Sequence, residues 1–280
     1  MKKKGKLSTV LLIIILVAGL ALLIYPSAAN YWNSIHQTKA ITSYVEDLSS
    51  MDKKDFDAIW KKVDAYNKNI RKRGNIFIQS PAEAVEYEKL LDISGTGIMG
   101  YIDIPCIEVS LPIYHTTKDS VLQVAAGHLE WTSLPAGGRG THCALSGHRG
   151  LPSAKLFTNL DKIVVGDIFN LNVLDRTLTY EVDQILIVKP DESDELFIRD
   201  GKDYCTLITC TPYGINTHRI LVRGHRIESN SAAGAVRVTA DAVKVEPLIV
   251  APVLALPILL VLLLALLITD RKKKRRQVKK

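Results

Sequence analysis

One segment of the chain reads Thr206-Leu207-Ile208-Thr209-Cys210-Thr211-Pro212-Tyr213 and is followed by Asn216-Thr217-His218-Arg219. The first part is a short run of β-forming residues that ends in a cysteine. A turn follows, and a second run carries an arginine. Two strands joined by a turn bring a thiol and a guanidinium close together. We therefore expect a nucleophile and a charge stabiliser on neighbouring strands, as in acyl-transferring cysteine enzymes.

A base for this thiol is offered upstream by Ser146-Gly147-His148-Arg149-Gly150. His148 follows a strand-like run and begins a loop, the setting in which catalytic groups often lie. A histidine within reach can take the proton of a thiol and later protonate a leaving amine. Spacing alone does not decide the assignment, because other histidines compete for the role: His128, His142, His218 and His225.

More than one arginine could act as the charge stabiliser. A guanidinium beside the thiolate can stabilise the anion, and its donors can hold the carbonyl oxygen as negative charge develops. In a regular strand Arg219 and Arg223 share one face, whereas Arg226 points to the other. Alternation thus excludes Arg226 and leaves the first two open.

Two uncharged apolar runs, residues 7–24 and 247–269, are each long enough to cross a bilayer as a helix. Four lysines precede the first run and eight basic residues follow the second. Lys and Arg beside a span stay on the cytoplasmic side, so both termini are expected in the cytoplasm and the part of the chain between the two runs outside. The alternatives are a signal peptide cleaved after Ser27-Ala28-Ala29 and a cleaved C-terminal sorting tail.

The part of the chain between the two runs is slightly acidic, which argues against nucleic-acid binding.

The four cysteines are Cys106, Cys143, Cys205 and Cys210. Their spacing contains no Cys-x-x-Cys pair and does not resemble a metal site. Cys205 and Cys210 are five residues apart, so they face opposite sides of one strand. Cys106 and Cys143 lie in apolar contexts typical of small buried residues. Disulfide pairing is the alternative for an exported domain, most plausibly without Cys210.

The remaining pattern is helical first and then β. Helical spacing covers residues 38–48, 52–70 and 81–91, the last with Val85, Leu90 and Leu91 on its apolar face. Eight short strands with few helices between them predict a mainly β fold with a closed or nearly closed barrel. The predicted strands cover residues 98–104, 109–115, 121–125, 141–147, 167–174, 177–189, 205–210 and 218–227.

The segment that ends at Cys210 resembles the Thr-Leu-x-Thr-Cys signature of sortases, the membrane-anchored cysteine transpeptidases of Gram-positive bacteria. The order His, Cys, Arg agrees with that family over about residues 95–227. Further runs resemble the class C, pilus-assembling group, and the second apolar run with its basic tail is similar to that group too. These runs are Gly127-His128-Leu129, Ser146 to Phe157, Cys210 to Arg219 and Val222-Arg223-Gly224-His225-Arg226.

The resemblance implies that Cys210 is the nucleophile, His148 the acid or base and Arg219 the stabilising arginine, on an eight-stranded β-barrel with N-terminal helices and two flanking transmembrane helices. It implies attack on the Thr–Gly bond of a Leu-Pro-x-Thr-Gly-like signal and transfer to a pilin lysine, or hydrolysis when water resolves the acyl-enzyme. No cofactor or metal is implied. The domains expected are a basic tail (1–6), a signal-anchor (7–25), a helical region (26–94), the barrel (95–228), a spacer (229–246), a second span (247–269) and a basic tail (270–280).

One departure concerns the lid that class C sortases often carry, with an Asp-Pro-aromatic motif. Residues 71–81 occupy the expected place but contain no Asp-Pro pair. Phe77 is the candidate apolar plug, with a plain packing role as the alternative. Two other functions remain open: attachment of surface proteins to a peptidoglycan-precursor amine, and a non-catalytic surface barrel.

Overall fold

The computed structural model describes residues 2–73 and 79–228. The chain divides into two compact units. The described part of the first unit ends at Trp32 and lies within helix α1 (Lys2–Ser49). The second unit begins at Asn33 and contains the end of α1 and every later described element. The predicted lid residue Phe77 and the predicted second span, residues 247–269, lie outside the described residues.

Helix α1 is longer than the sequence pattern predicted. We expected a span over residues 7–25 and a separate helix over residues 38–48, but one helix covers Lys2–Ser49. Pro26 is the only proline inside it, and residues 27–49 contain neither glycine nor proline that would end a helix. Within the described ranges, α1 is the one helix long and apolar enough to cross a membrane.

Two amphipathic helices follow, α2 (Lys53–Lys72) and α3 (Pro81–Lys89). Each begins with a capping box, formed by Asp52 with Asp55 and by Ser80 with Glu83, which satisfies backbone donors that the first turn leaves free. The buried face of α2 carries apolar residues three or four positions apart. These include Trp60, Val63, Tyr66 and Ile70.

The barrel consists of eight strands: β1 (Ile98–Ile104), β2 (Val109–Tyr114), β3 (Ala126–His128), β4 (Thr141–Ser146), β5 (Ile168–Val173), β6 (Arg176–Val188), β7 (Asp203–Thr211) and β8 (His218–Ile227). They close in the order β1-β2-β3-β4-β7-β8-β6-β5. The pairs β2–β3 and β4–β7 are parallel, and all other neighbouring pairs are antiparallel. The predicted eight-stranded barrel with N-terminal helices is therefore confirmed.

The prediction of a strand over residues 121–125 was wrong. Residues Asp119–Leu122 form the short helix α4, and β3 begins only at Ala126. The backbone N–H of Gln123 donates to the carbonyl oxygen of Asp119, as in a helix. Because β3 runs parallel to β2, the chain must cross over between them rather than turn back as a hairpin, and α4 lies in that crossover.

Apolar side chains form two layers on the two faces of the sheet. The larger core fills the barrel and extends to α2 and α3, with Trp60, Tyr87, Leu145, Leu207 and Val222 among its members. A smaller group, here called the outer-face cluster, consists of Ala144, Leu196, Ile208 and Leu221. The 3-10 turn Asp194–Leu196 contributes Leu196 to it.

Candidate active site

Cys210 and Arg219 are direct cross-strand partners. The antiparallel register of β7 and β8 pairs Cys210 with Arg219. Opposite residues of an antiparallel pair lie about 4.5–5.5 Å apart at Cα, and their side chains share one face of the sheet. Nη1 of Arg219 donates to the carbonyl oxygens of Asn216 (3.1 Å) and His218 (3.0 Å), so the β7–β8 loop supports this guanidinium.

Arg223, which alternation left open, has other partners. It lies opposite Thr206, four residues before the cysteine. Its Nε donates to Asp183 at 2.9 Å and its Nη2 at 3.3 Å, and the guanidinium carbon lies 4.3 Å from the centre of the Tyr204 ring. The structure therefore places Arg219, and not Arg223, beside Cys210.

The parallel pairing of β4 with β7 accounts for the position of His148. Each paired residue of β4 precedes its partner on β7 by the same offset, from Thr141 opposite Asp203 to Ser146 opposite Ile208. Extending this offset two residues beyond the end of β4 brings His148 level with Cys210. Cys210 is thus flanked by Arg219 on one neighbouring strand and by the loop that carries His148 on the other side.

Side-chain bonds continue the pairing beyond the end of β4. The buried hydroxyl of Thr209 donates to the carbonyl oxygen of Gly147 at 2.7 Å. Nη1 of Arg149 lies 3.4 Å from the hydroxyl oxygen of Thr211. Both contacts join residues 62 positions apart, the offset of the strand pair itself. The residues on either side of Cys210 are therefore bonded to the residues on either side of His148.

Gly147 and Phe157 fix the start of this loop. A Cβ on Gly147 would lie 2.7 Å from the ring of Phe157, which is fully buried. The N–H of Phe157 donates to the carbonyl oxygen of His148 at 3.1 Å. Only glycine allows the ring to approach this closely, so the ring and the backbone bond together hold His148 in place.

The imidazole of His148 also has an acidic neighbour. Its Nε2 lies 3.7 Å from Oδ1 of Asp119, the first residue of α4. The side chain of Asp119 is 82% exposed, so the interaction is weak and screened by solvent. Sequence reasoning did not indicate this pair, because residues 121–125 were predicted as a strand and the helix was missed.

His142 is excluded as a base by its surroundings. It is buried, its Nδ1 lies 3.2 Å from the carbonyl oxygen of Phe197, and its Nε2 lies 2.7 Å from the hydroxyl of Thr206. The carbonyl can only accept, so Nδ1 carries the proton and Nε2 accepts from Thr206. Burial lowers the pKa of His142 to about 4, and this residue stays neutral at physiological pH.

The other competing histidines also lie in different settings. His128 is fully buried, with Nδ1 against a tyrosine hydroxyl at 3.0 Å and Nε2 against a main-chain carbonyl at 2.9 Å. His218 contacts the hydroxyl of Thr217, and His225 lies 3.9 Å from Asp183. Of the five histidines considered, only His148 follows β4 at the position that the β4–β7 offset pairs with Cys210.

All four cysteines are free, so the disulfide alternative has no support. Cys205 and Cys143 are opposite each other on β7 and β4, and both are buried in the barrel. Burial, together with the Cys143 thiol, raises the pKa of Cys205 well above its ordinary value. Cys210 faces the other side of β7 and is partly exposed, as the odd spacing predicted.

Comparison with known proteins shows the family to which the chain is similar. The family model described as the Sortase domain matches residues 102–227. The crystal structure of sortase C1 from Streptococcus agalactiae is 50% identical, with a TM-score of 0.66, and the match covers 68% of this chain and 98% of that one. Sortase C from Streptococcus pneumoniae is 44% identical over 68% of this chain and 97% of that one, with a TM-score of 0.62.

The chain belongs to the class C sortases. More distant relatives are also sortases. Sortase A from Bacillus anthracis is 29% identical over 127 residues, and the match covers 45% of this chain and 59% of that protein. Sortase A from Streptococcus agalactiae is 30% identical over 128 residues, which cover 45% of this chain and 51% of that protein.

Several residues that shape the site of this sortase were not predicted from the sequence. They are Asp119, Arg149, Phe157 and Thr209, which contact the predicted residues or their immediate neighbours. No local signal could have found Arg149 and Thr209, because the 62-residue offset that pairs them with Thr211 and Gly147 is visible only in the structure. In residues 2–73 and 79–228, no group of three or more His, Cys, Asp or Glu side chains is arranged to hold a metal ion.

Proposed function

We propose that this sortase cleaves a Leu-Pro-x-Thr-Gly-like sorting signal between Thr and Gly and joins the acyl group to a lysine amine of a pilin subunit. Cys210 acts as the nucleophile, His148 as acid and base, and Arg219 as the donor to the developing oxyanion. The observation that carries the chemistry is the cross-strand pairing of Cys210 with Arg219, with His148 level on the other side.

The two half-reactions balance without an external reagent. In the first, a bond forms between Sγ of Cys210 and the threonine carbonyl carbon, the Thr–Gly C–N bond breaks, and His148 gives a proton to the leaving amine. In the second, the lysine amine forms a C–N bond with the same carbon, the C–S bond breaks, and the proton lost by the amine returns to the Cys210–His148 pair. Water in place of the amine gives hydrolysis.

The pilin acceptor is supported by the solved relatives. The crystal structure of the Streptococcus pneumoniae sortase C bears on catalysis and on pilin substrate specificity. A Streptococcus agalactiae relative that is 41% identical is the sortase C1 of a pilus island. Identity at this level over most of the described second unit favours a shared substrate class.

The sorting signal would lie on the outer face of the sheet. Ile208 precedes Cys210 by two residues on β7, and Leu221 follows Arg219 by two residues on β8, so alternation puts all four on that face. The outer-face cluster is bordered by the partly buried Leu129, Trp131, Leu186 and Val188. Apolar surface next to the thiol suits the leucine and proline of the signal.

Mass spectrometry of the full-length protein in detergent tests the proposal. With a Leu-Pro-x-Thr-Gly peptide, the wild-type protein is expected to gain the mass of the acyl fragment on Cys210, whereas Cys210→Ala gains nothing. Adding either a lysine-bearing pilin domain or a peptidoglycan-precursor amine then separates the acceptors. Turnover with the precursor amine but not with pilin lysine would overturn the pilin assignment, and no acyl adduct would overturn the chemistry.

The proposed location is the cell membrane, with the barrel outside and both termini in the cytoplasm. The apolar helix α1 and the basic residues that flank both apolar runs support this topology. Labelling of engineered cysteines in intact cells, on a background in which both partly exposed cysteines are replaced (Cys106→Ala and Cys210→Ala), tests it. Labelling of a cysteine near residue 275 by an impermeant reagent would contradict the cytoplasmic C-terminus.

A further inference from the structure

We propose that Arg149 is a positioning residue that holds His148 level with Cys210 and so sets the proton transfer between them. The inference rests on the function proposed above. Arg149 is the residue directly after His148, and its side chain is only 8% exposed. Its guanidinium contacts three residues on different segments: Thr211, Asp161 and Tyr213.

The need for such a residue follows from where β4 ends. Backbone pairing of β4 with β7 stops at Ser146, and one further bond joins the N–H of Gly147 to the carbonyl oxygen of Ile208. His148 is the next residue and lies beyond both. The contact of Arg149 with Thr211 links the loop to β7 again, directly after Cys210. His148 thus lies between two links to β7, and without the second one the loop would be joined to β7 only on the Gly147 side.

Asp161 anchors the other side of the guanidinium. Nη2 of Arg149 pairs with Oδ2 of Asp161 in the 3-10 turn Leu160–Lys162. The N–H of Gly150 donates to the hydroxyl of Thr158 at 3.1 Å, which fixes the backbone just after Arg149. The side chain of Arg149 therefore attaches the loop after His148 both to β7 and to the 3-10 turn that ends the loop.

The third contact reaches the β7–β8 loop. The guanidinium carbon lies 5.6 Å from the centre of the Tyr213 ring, within the range of a cation–π contact. The same ring lies so close to Gly150 that a Cβ there would be 3.1 Å from it. Arg149 therefore connects the His148 loop with the loop whose carbonyl oxygens support Arg219.

The chemistry of the side chain explains why arginine suits this position better than lysine. A planar guanidinium can donate to a hydroxyl and a carboxylate while an aromatic ring lies against its face, whereas an ammonium acts as a point charge. Nε of Arg149 is buried and has no hydrogen-bond partner among the described residues. Burying a donor without a partner costs stability, so this placement is not the arrangement that stability alone would favour.

Kinetics of the full-length protein in detergent test the role. The variants are Arg149→Met, which keeps the length of the side chain, Arg149→Lys, which keeps the charge, and Asp161→Asn, which weakens the anchor at a partly exposed position. For each, kcat and KM are measured with the sorting peptide. The alkylation rate of Cys210 by iodoacetamide is followed from pH 5 to 9 by mass spectrometry of its peptide, with His148→Ala as the reference.

For Arg149→Met we expect kcat to fall about 10- to 100-fold with KM changed less than about threefold, the size of effect that a small misplacement of reacting groups produces. Its alkylation profile should move towards that of His148→Ala. Arg149→Lys and Asp161→Asn should lie between it and the wild type. Arg223→Met is the matched control, because it also loses one aspartate and one tyrosine ring but lies away from His148.

The proposal is overturned if Arg149→Met keeps the wild-type kcat per reactive thiol and the wild-type alkylation profile, even with a lower melting temperature. It is also overturned if Arg223→Met changes both as much as Arg149→Met does. Failure of the wild-type protein to cleave any sorting peptide would count against the proposed function instead, because the alkylation comparison needs no substrate.

Discussion

Arg219 and Arg223 lie four residues apart on one face of β8, yet their neighbours give them different roles. Arg223 is bound to Asp183 and lies against Tyr204, so its charge is already compensated. Arg219 donates only to main-chain carbonyls among the described residues and lies opposite Cys210. A guanidinium free of carboxylate partners can receive a developing oxyanion, whereas a paired one cannot do so without breaking its ion pair.

Substitution of each arginine by methionine separates these roles. Arg219→Met should lower kcat for peptide cleavage by about 100-fold or more, the usual cost of removing an oxyanion donor. Arg223→Met should keep kcat within about threefold and lower the free energy of unfolding by about 1–3 kcal/mol, because it leaves Asp183 without its partner. Steady-state kinetics and urea unfolding measure the two effects, and equal kinetic losses would contradict the assignment.

Single residues were predictable where a motif or a periodicity named them. Cys210 and His148 were predicted as site residues from motifs, and the opposite faces of Cys205 and Cys210 followed from their odd spacing. Strand alternation is identical for Arg219 and Arg223, so the choice of Arg219 came from family resemblance, and the register places it opposite Cys210. Thr209 and Arg149 could not be identified, because their partners come from another strand and nothing local in the sequence records that pairing.

Among the elements, the junction between β4 and the His148 loop depends on one glycine. A methyl group at Gly147 would lie 2.7 Å from the buried ring of Phe157, a distance that real Cβ atoms do not adopt. The ring cannot withdraw easily, because it belongs to the close-packed core.

Gly147→Ala should therefore destabilise the fold by about 1–3 kcal/mol, as overpacking does, and should displace His148 and lower kcat. Phe157→Leu removes part of the ring and should relieve the clash. In a double-mutant cycle, the loss in the combined variant should be smaller than the sum of the two single losses. Strict additivity would show that the two residues do not conflict.

The packing of β4 against the segment around Phe197 makes stability depend on pH through His142. Burial lowers the pKa of His142 to about 4 from an ordinary value of 6.5. Below pH 6.5 His142 becomes protonated in the unfolded chain but stays neutral in the folded state. Its contribution to the free energy of unfolding is therefore fully present above pH 6.5 and is lost as the pH falls towards 4. The loss from this residue is at most about 3 kcal/mol.

Urea unfolding between pH 7 and 4 measures this dependence. His142→Gln retains polar atoms but does not titrate, so its free energy of unfolding should fall less steeply over that range than that of the wild type. The difference between the two slopes isolates the contribution of His142 from those of the carboxylates. Parallel curves for the two proteins would contradict the role assigned to His142.

Helices and strands were predictable where a long periodic pattern of apolar residues identified them. The pattern of α2 is strong, and its buried apolar residues have the helical spacing that was predicted over residues 52–70. For α3 the apolar face was partly wrong, because Val85 is 53% exposed and Tyr87 is the buried residue. The segment 119–125 contains several β-forming residues, but the crossover between parallel strands requires a non-strand connection, and this is a tertiary requirement that local propensity does not contain.

For the whole molecule, the proposed topology holds the catalytic unit at the outer surface of the membrane through both ends of the chain. Two tethers confine the site to the outer membrane surface, where membrane-held substrates arrive. This raises the effective concentration of the substrate at the site. The sequence pattern predicts both spans, and the structure describes the helix of the first one.

Ending the chain before residue 247 tests the second tether. Peptide cleavage by the purified protein should be unchanged, because the barrel and its site end at Ile227. In cells, the shortened protein should give shorter or fewer pilus polymers, measured by immunoblotting of cell-wall extracts at matched enzyme levels. Normal polymers from the shortened protein would contradict a role for the second tether.

The class of the fold and a closed or nearly closed barrel were predictable from the number and length of the strands, but the strand order was not. Strands β4 and β7 are neighbours although 56 residues separate Ser146 from Asp203 along the chain, and no periodicity records such a long-range pairing. Family resemblance implied the sortase type of the barrel, and the strand order came only from the structure.

The fixed offset between β4 and β7 has a consequence for how the chain can vary in length. The strand pairing, and not the count of intervening residues, sets the loop of His148 level with Cys210, so surface loops outside residues 147–162 can change in length. An insertion near Pro190–Ser193 should therefore be tolerated, as should a peptide tag placed there. A single residue added within β4 or β7 has the opposite effect, because a slip by one position turns every following side chain to the other face of the sheet and would bury the thiol or the imidazole in the barrel.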